Sequence, residues 1–180
     1  MIKSYFITDP SICGTSPSSL KESLAAIIKT HAPDYICLRD KNSKSYAELA
    51  EAFLSTQGRH KALLHGNVDL AISLGAYGVH LTSLQYSEIQ KAKSAGLYVI
   101  ASTHSYEEAL EAKGADAITY SPVFASPNKG RPKGLGDLKE IVGKIKTNIF
   151  ALGGITTTEQ IKQVETTGVY GFASIRYFKN

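Results

Sequence analysis

A histidine and a pair of glycines, each following an apolar run, are the first candidates for catalysis and ligand binding. His104 lies in the segment STHS (102–105) after an apolar run, and histidine is the side chain best suited to move protons near neutral pH. Gly153 and Gly154 follow another apolar run, and paired glycines let backbone amides approach an anion closely. The first pattern predicts acid–base catalysis and the second predicts a phosphate site. The alternatives are a histidine that only hydrogen-bonds within its loop and glycines that only make a tight turn.

Cations and further histidines are placed at other apolar runs. Arg39 and Lys41 lie where one run ends and could meet a phosphate or a carboxylate, although an ion pair between Arg39 and Asp40 is the alternative. His65 ends the next run and is a secondary candidate for proton transfer. His80 lies inside the run after that, where we expect a structural role.

A long segment, 121–136, reads as a loop and carries two more candidates. It contains Ser121, Lys129 and three of the chain's six prolines. Long ordered loops commonly bind ligands or close over them. Ser121 and Lys129 are therefore predicted to contact substrate. The alternative is a solvated, mobile run of charge.

Eight apolar runs predict the strands that must position these residues. Most are continuously apolar, which is typical of parallel strands buried on both faces. The predicted strands are 5–8, 35–39, 62–65, 78–81, 98–102, 117–120, 149–152 and 171–175. The segments between them have the apolar spacing of helices. Helix starts are marked by capping boxes, which pair Ser45 with Glu48, Ser105 with Glu108, and Thr157 with Gln160.

The alternation of strands and helices predicts an α/β protein. Eight strands and at least six helices favour a single (β/α)8 TIM barrel over residues 1–180, with an open doubly wound sheet as the alternative. The chain is shorter than a typical barrel of roughly 250 residues. We therefore expect a somewhat truncated barrel whose eighth helix is reduced or absent.

Barrel topology sharpens the prediction of a phosphate site. Active sites of such barrels lie at the carboxyl ends of the strands, and the loops after strands seven and eight often bind phosphate. Gly153 and Gly154 follow the seventh run, and Ile175 and Arg176 end the eighth. The backbone amides of Gly154, Ile175 and Arg176 are the predicted donors.

Composition argues against several classes of function. The net charge is +4 and the basic residues are scattered, so no nucleic-acid partner is expected. No apolar stretch approaches the roughly 20 residues of a membrane span, and no signal peptide is recognisable, so we expect a cytoplasmic protein. Two cysteines make neither a disulfide framework nor a zinc site. The loops after the third and fourth runs offer no carboxylate at their tips, so no metal and no cofactor are expected.

Over nearly its whole length the chain resembles the thiamine-phosphate synthase and TenI-like superfamily. The matching elements are YFITD (5–9), LRDK (38–41), VDLA (68–71), GVHL (78–81), STHS (102–105), SPVF (121–124) with Lys129, and ALGGI (151–155). Synthases of this superfamily carry aspartates that bind magnesium at the positions of Gly66 and Gln85. TenI-like thiazole tautomerases lack both aspartates and have glycine at the first position. The resemblance is therefore closest to the TenI-like branch.

The resemblance implies that the chain works in thiamine biosynthesis by converting a carboxythiazole phosphate into its aromatic tautomer. This metal-independent proton transfer needs an acid–base group, a phosphate anchor and cations. The sequence supplies His104 for catalysis, Gly153, Gly154, Ile175 and Arg176 for the phosphate, and Arg39, Lys41, Lys129 and Ser121 for the rest of the substrate.

Two alternatives stay open. The first is a thiamine-phosphate synthase that joins hydroxymethylpyrimidine pyrophosphate to thiazole phosphate with Mg²⁺. The second is a non-catalytic regulatory protein that binds a thiazole phosphate. A missing eighth helix would leave the carboxyl end of the barrel less covered, which favours dimerisation, so a homodimer is compatible with the sequence.

Overall fold

The computed structural model of the chain describes residues 2–56, 60–127 and 129–179, which form a closed barrel of eight parallel strands in chain order. The strands are β1 (Lys3–Ile7), β2 (Tyr35–Leu38), β3 (Lys61–His65), β4 (Gly78–Leu81), β5 (Tyr98–Thr103), β6 (Ala117–Tyr120), β7 (Asn148–Leu152) and β8 (Gly171–Ser174). The barrel closes where β1 pairs with β8, with Tyr5 opposite Ala173. The predicted barrel is confirmed, and the open sheet is wrong.

Helices of 4 to 15 residues connect the strands. They are α1 (Pro10–Cys13), α2 (Pro17–His31), α3 (Tyr46–Leu54), α4 (Val68–Ser73), α5 (Ile89–Ser94), α6 (Tyr106–Glu111), α7 (Gly134–Lys144) and α8 (Thr158–Glu165). Of the described residues after β8, only Tyr177–Lys179 are helical, in one 3-10 turn. Up to Lys179, the structure therefore agrees with the predicted reduction of the helix after β8. Within the described ranges no helix has the length and apolar character to cross a membrane.

Two apolar layers hold the barrel, because successive side chains of a strand point to opposite faces. In β1, Tyr5 and Ile7 belong to the inner layer, whereas Phe6 packs in the outer layer with the helices. The inner layer is rich in aromatic rings: the centroid of Phe150 lies 5.3 Å from those of both Tyr5 and Tyr35. Burial on both faces explains why the strands read as continuous apolar runs.

The helix starts agree with the predicted capping boxes only in part. At α8 the box is formed by Thr157 and Gln160. At α6, Ser105 accepts a hydrogen bond from the amide of Glu108, but the Glu108 carboxylate turns to the preceding loop instead of completing the box. Ser45 makes no side-chain cap at α3, so that prediction is wrong.

The amino end of the barrel is closed by a tyrosine–lysine cluster, which consists of Tyr35, Tyr77, Tyr98, Tyr170 and Lys61. Lys61 Nζ lies 3.3 Å from the hydroxyl of Tyr35. The same ammonium lies 4.9 Å from the ring centroid of Tyr35, 5.2 Å from that of Tyr77 and 5.8 Å from that of Tyr98. Tyr35 also shares a hydrogen bond of 3.1 Å with the hydroxyl of Tyr170. Side chains therefore fill this end, and the opening lies at the carboxyl ends of the strands.

Candidate functional site

The carboxyl ends of the strands surround an open cavity of about 820 Å³. Ligand pockets for small molecules commonly have volumes in this range. The cavity is lined by every residue predicted for the site: His104, Gly153, Gly154, Ile175, Arg176, Arg39, Lys41, Lys129 and Ser121. The barrel thus brings together residues that lie far apart in the sequence.

His104 stands in the cavity wall between the end of β5 and the start of α6. Its Nδ1 lies 3.0 Å from Oε2 of Glu108, and its backbone amide donates to the same oxygen at 2.7 Å. The side chain is 42% exposed. Because Nδ1 is engaged and Nε2 has no hydrogen bond to any described residue, Nε2 is the nitrogen left for a ligand. The ring is therefore anchored in its loop and also open to the cavity.

The two glycines after β7 are required by protein packing. Gly153 and Gly154 have φ angles of +99° and +71°, a region that favours glycine. A Cβ atom on Gly153 would lie 2.7 Å from Cα of Pro122, and one on Gly154 would lie 2.6 Å from the carbonyl oxygen of Ala125. The loop after β6 therefore lies directly against this turn. The close approach of the two loops is therefore enough to require both glycines, and the anion site stays a prediction.

The loop after β6 is hydrogen-bonded to the loop after β7. The amides of Val123 and Phe124 donate to the carbonyls of Leu152 and Gly153, at 2.9 and 3.0 Å. The loop is also shorter than predicted, because α7 already begins at Gly134. These backbone bonds fix the first part of the segment beside the cavity, whereas Lys129 and Arg131 farther along are exposed, as the alternative of a solvated run of charge predicts.

Three backbone amides that were predicted to bind phosphate lie after β7 and β8. Within the described residues, the amides of Gly154, Ile175 and Arg176 donate no hydrogen bond to the protein. The two loops that carry them are tied together, because Ser174 Oγ donates to the carbonyl of Ile155 at 2.6 Å. Unpaired amides that are held in place at a cavity wall are suited to bind an oxyanion.

Basic side chains dominate the charge of the cavity. They are Arg39, Lys41, Lys129, Arg176 and Lys179, the last of which was not predicted. Asp9 is the single carboxylate among the described lining residues. Arg39 Nη1 lies 3.7 Å from Asp9 Oδ2, so the alternative ion pair with Asp40 is wrong. This arrangement attracts an anionic ligand.

The cavity floor is a hydrogen-bonded chain that the sequence did not reveal as a unit. The Tyr5 hydroxyl lies 2.7 Å from Nδ1 of His80, whose Nε2 lies 2.9 Å from Oγ of Ser102. Burial lowers the pKa of His80 to about 3, and the nearby His65 and Arg39 act in the same direction. Burial also lowers the pKa of His65 to about 4. Both rings are neutral near pH 7, and His80 has no unengaged nitrogen, which supports its structural role.

Gln85 joins the loops that follow β3 and β4. Its Nε2 donates to the carbonyl of Gly66 at 2.9 Å and to Glu88 at 3.0 Å. Its Oε1 accepts from the amide and the hydroxyl of Thr82, each at 3.1 Å. The amide group is thus fully used inside the protein. In the part of the chain that the structure describes, no three or more His, Cys, Asp or Glu side chains are grouped to hold a metal ion.

Comparison with known proteins identifies relatives of the whole chain. Residues 4–178 match the family model described as thiamine monophosphate synthase. A protein of Aquifex aeolicus named putative thiamine-phosphate synthase 2 is 36% identical, over 97% of this chain and 96% of that protein. The thiamine-phosphate synthase of Pyrococcus horikoshii is 32% identical, over 97% of this chain and 85% of that protein.

A solved structure agrees with the sequence comparison. The thiamine phosphate pyrophosphorylase from Pyrococcus furiosus matches with a TM-score of 0.78 and 30% identity, covering 99% of this chain and 91% of that one. These findings confirm the superfamily resemblance that the sequence motifs indicated. The chain belongs to the thiamine monophosphate synthase family.

Proposed function

We propose that this chain acts in thiamine biosynthesis on a phosphorylated thiazole, and that it converts a carboxythiazole phosphate into its aromatic tautomer without a metal. The names of the relatives support the pathway. The volume of the cavity and its basic side chains support a small substrate with more than one anionic group.

The observation that carries the choice of reaction is the hydrogen bond between Gln85 and Gly66. Synthases of the family that the sequence resembles have magnesium-binding aspartates at these two positions. Here a neutral amide joins the two loops directly. Magnesium bound with phosphates is usually held by one or two carboxylates, which these positions do not supply. A proton shift needs no such ion, because no pyrophosphate leaves.

The proposed reaction breaks one C–H bond and forms another. Nε2 of His104 takes the proton from the ring carbon, and the electron pair moves through the ring toward the exocyclic double bond. The imidazolium then delivers that proton to the exocyclic carbon, so the product is an isomer and His104 returns to its neutral form. A positioned general acid–base group is worth roughly 10²–10⁴-fold in rate.

The two anionic groups of the substrate need separate anchors. The amides of Gly154, Ile175 and Arg176 are free to bind the phosphate, and Gly153 shapes the turn that presents them. The carboxylate would then lie toward the other cations of the cavity. We assign Arg39, Lys41 and Lys129 to the carboxylate and Ser121 to the thiazole side of the ligand.

Thiamine-phosphate synthase is the second candidate, and the names of the relatives favour it. In that reaction hydroxymethylpyrimidine pyrophosphate and thiazole phosphate are joined with Mg²⁺, and pyrophosphate leaves. The basic side chains of the cavity would serve the leaving pyrophosphate as well. A regulatory protein would use the same cavity to bind a thiazole phosphate and would turn nothing over.

The deciding experiment is calorimetric titration of carboxythiazole phosphate with and without Mg²⁺, followed by an assay for the aromatic tautomer. Binding and turnover that do not depend on Mg²⁺ are expected. Thiamine phosphate formed from hydroxymethylpyrimidine pyrophosphate and thiazole phosphate, only when Mg²⁺ is present, would instead establish the synthase. Tight binding without either product would indicate the regulatory protein.

A further inference from the structure

A single oxygen atom of Glu108 holds His104 in two ways. Oε2 of Glu108 lies 2.7 Å from the backbone nitrogen of His104 and 3.0 Å from its Nδ1. Glu108 is itself fixed, because Ser105 caps α6 by accepting from the Glu108 amide at 3.1 Å. The hydroxyl of Tyr86 lies 3.5 Å from the same carboxylate oxygen. The carboxylate is thus built into the loop that carries the histidine.

This double contact determines which nitrogen of the ring carries the proton. A backbone N–H only donates, so the oxygen that it meets must act as an acceptor. An ionised carboxylate oxygen is an acceptor only, and it can accept from two donors. Nδ1 contacts that same oxygen and must therefore be a donor. In the neutral ring the hydrogen lies on Nδ1, and Nε2 is left bare.

We propose that Glu108 is a positioning residue, which fixes His104 in the Nδ1–H tautomer so that an unprotonated Nε2 lies on the cavity side as the base. The assignment of the tautomer rests on the geometry alone. Its consequence for the rate rests on the proposed function. The hydrogen bond from Nδ1 to Glu108 also fixes the plane of the ring, in the way that a second hydrogen bond commonly orients a catalytic histidine.

His80, at the bottom of the cavity, shows by contrast what the Glu108 contact does for His104. Both nitrogens of His80 are engaged, Nδ1 by Tyr5 and Nε2 by Ser102. That ring offers no free nitrogen to a substrate. Among the described residues, a side chain engages only the Nδ1 of His104, so the Glu108 contact selects the nitrogen that remains for chemistry.

Three variants separate the roles of Glu108. Glu108→Gln keeps an acceptor oxygen, and the backbone N–H of His104 selects that oxygen over the amide nitrogen, so the tautomer should be kept. Glu108→Leu removes both carboxylate oxygens, so the ring of His104 should no longer be held in one tautomer. Glu107→Gln is the matched control, because it removes one negative charge from the same first turn of α6 at an exposed residue.

The first measurement is the ¹⁵N chemical shift of both imidazole nitrogens of His104 at a pH where the ring is neutral. A protonated Nδ1 and a bare Nε2 are expected in the wild-type chain, in Glu108→Gln and in Glu107→Gln. Glu108→Leu should show a mixture of tautomers. A wild-type ring with the hydrogen on Nε2 would overturn the proposal, and this result does not require that any variant folds.

The second measurement is turnover of carboxythiazole phosphate. Glu108→Leu should lose about tenfold or more in kcat with little change in KM, while Glu108→Gln keeps most of the rate and Glu107→Gln keeps all of it. Equal rates in Glu108→Leu and the wild type would overturn the positioning role. If no form of the chain turns this substrate over, the proposed function fails, whereas the nitrogen shifts still decide the tautomer.

Discussion

The two ends of the barrel differ in the surroundings of their positively charged side chains. At the amino end, Lys61 lies among tyrosine rings and contacts the hydroxyl of Tyr35. At the carboxyl end, Lys41, Lys129 and Arg176 line the cavity and make no ion pair within the described residues. A cation with partners built into the fold contributes to stability, whereas one that faces an open cavity attracts a ligand. Substitutions should therefore change stability at one end and activity at the other.

The largest effect on activity is expected at the carboxyl end. His104→Ala removes the proposed acid–base group, so turnover should fall by roughly 10²–10⁴-fold. The side chain is 42% exposed, so the midpoint of thermal unfolding should change little. Turnover of carboxythiazole phosphate and a thermal melt of both proteins test the two halves of this prediction. A normal rate in the variant would remove His104 from the mechanism.

The largest effect on stability is expected from the inner aromatic layer. Phe150 is fully buried against Tyr5, Tyr35 and Tyr170. Phe150→Ala should therefore lower the free energy of unfolding by about 3–5 kcal/mol, measured by urea denaturation. Leu84→Ala is the control, because Leu84 is 93% exposed and its truncation should have almost no effect. Equal losses in the two variants would contradict the packing described for the barrel interior.

His80 lies between the two ends and should make stability depend on pH. Its pKa is about 3 in the folded protein, below the value of roughly 6.5 in an unfolded chain. As the pH falls below about 6.5, His80 becomes protonated in the unfolded chain but stays neutral in the folded chain. The free energy of unfolding should then fall by about 1.4 kcal/mol per pH unit until the folded pKa is reached.

Urea denaturation of the wild type and of His80→Gln, from neutral pH to about pH 5, isolates this contribution. The variant loses the contacts with Tyr5 and Ser102 and should be less stable at neutral pH. The stability difference between the two proteins should shrink as the pH falls. A difference that widens on acidification would mean that the buried ring is stabilised in its charged form.

The smallest effect is expected from a single cation of the cavity. Arg176→Ala keeps the backbone amide but removes one positive charge, so the affinity for carboxythiazole phosphate should fall by about five- to thirtyfold, or 1–2 kcal/mol. Lys146→Ala removes an exposed charge beyond the amino end of β7 and serves as the control in the same titration. Comparable losses in both variants would indicate a long-range charge effect rather than a contact.

The sequence predicted the parts of the molecule that depend on local pattern. Continuous apolar runs located the strands, and the rule that barrel sites lie at the carboxyl ends of strands then led to His104 and Gly154. The partners of those residues were harder to predict. The sequence suggested that Glu108 would complete a capping box with Ser105, but its carboxylate contacts His104. Which of these two contacts the Glu108 carboxylate makes depends on the exact direction of the loop before α6.

Contacts between segments that are distant in the sequence could not be predicted from local residue spacing. The tyrosine–lysine cluster gathers residues from β2, β3 and β5 and from the turns before β4 and β8, and no local spacing connects them. Arg39 pairs with Asp9 because β1 and β2 are adjacent, whereas in the sequence Asp40 is the nearer acid. Such partners are set by the register of the closed barrel.

The close contact between the loops after β6 and β7 has a consequence for how this site can diverge. The contact is made largely by backbone: the Gly154 turn lies against the carbonyl of Ala125, and the amide of Phe124 bonds the carbonyl of Gly153. Side chains elsewhere on the β6 loop, such as Lys129, are not part of it. Replacement of Lys129 therefore leaves this backbone contact unchanged and affects only the proposed contact with the ligand, whereas a substitution at Gly154 disturbs both loops at once.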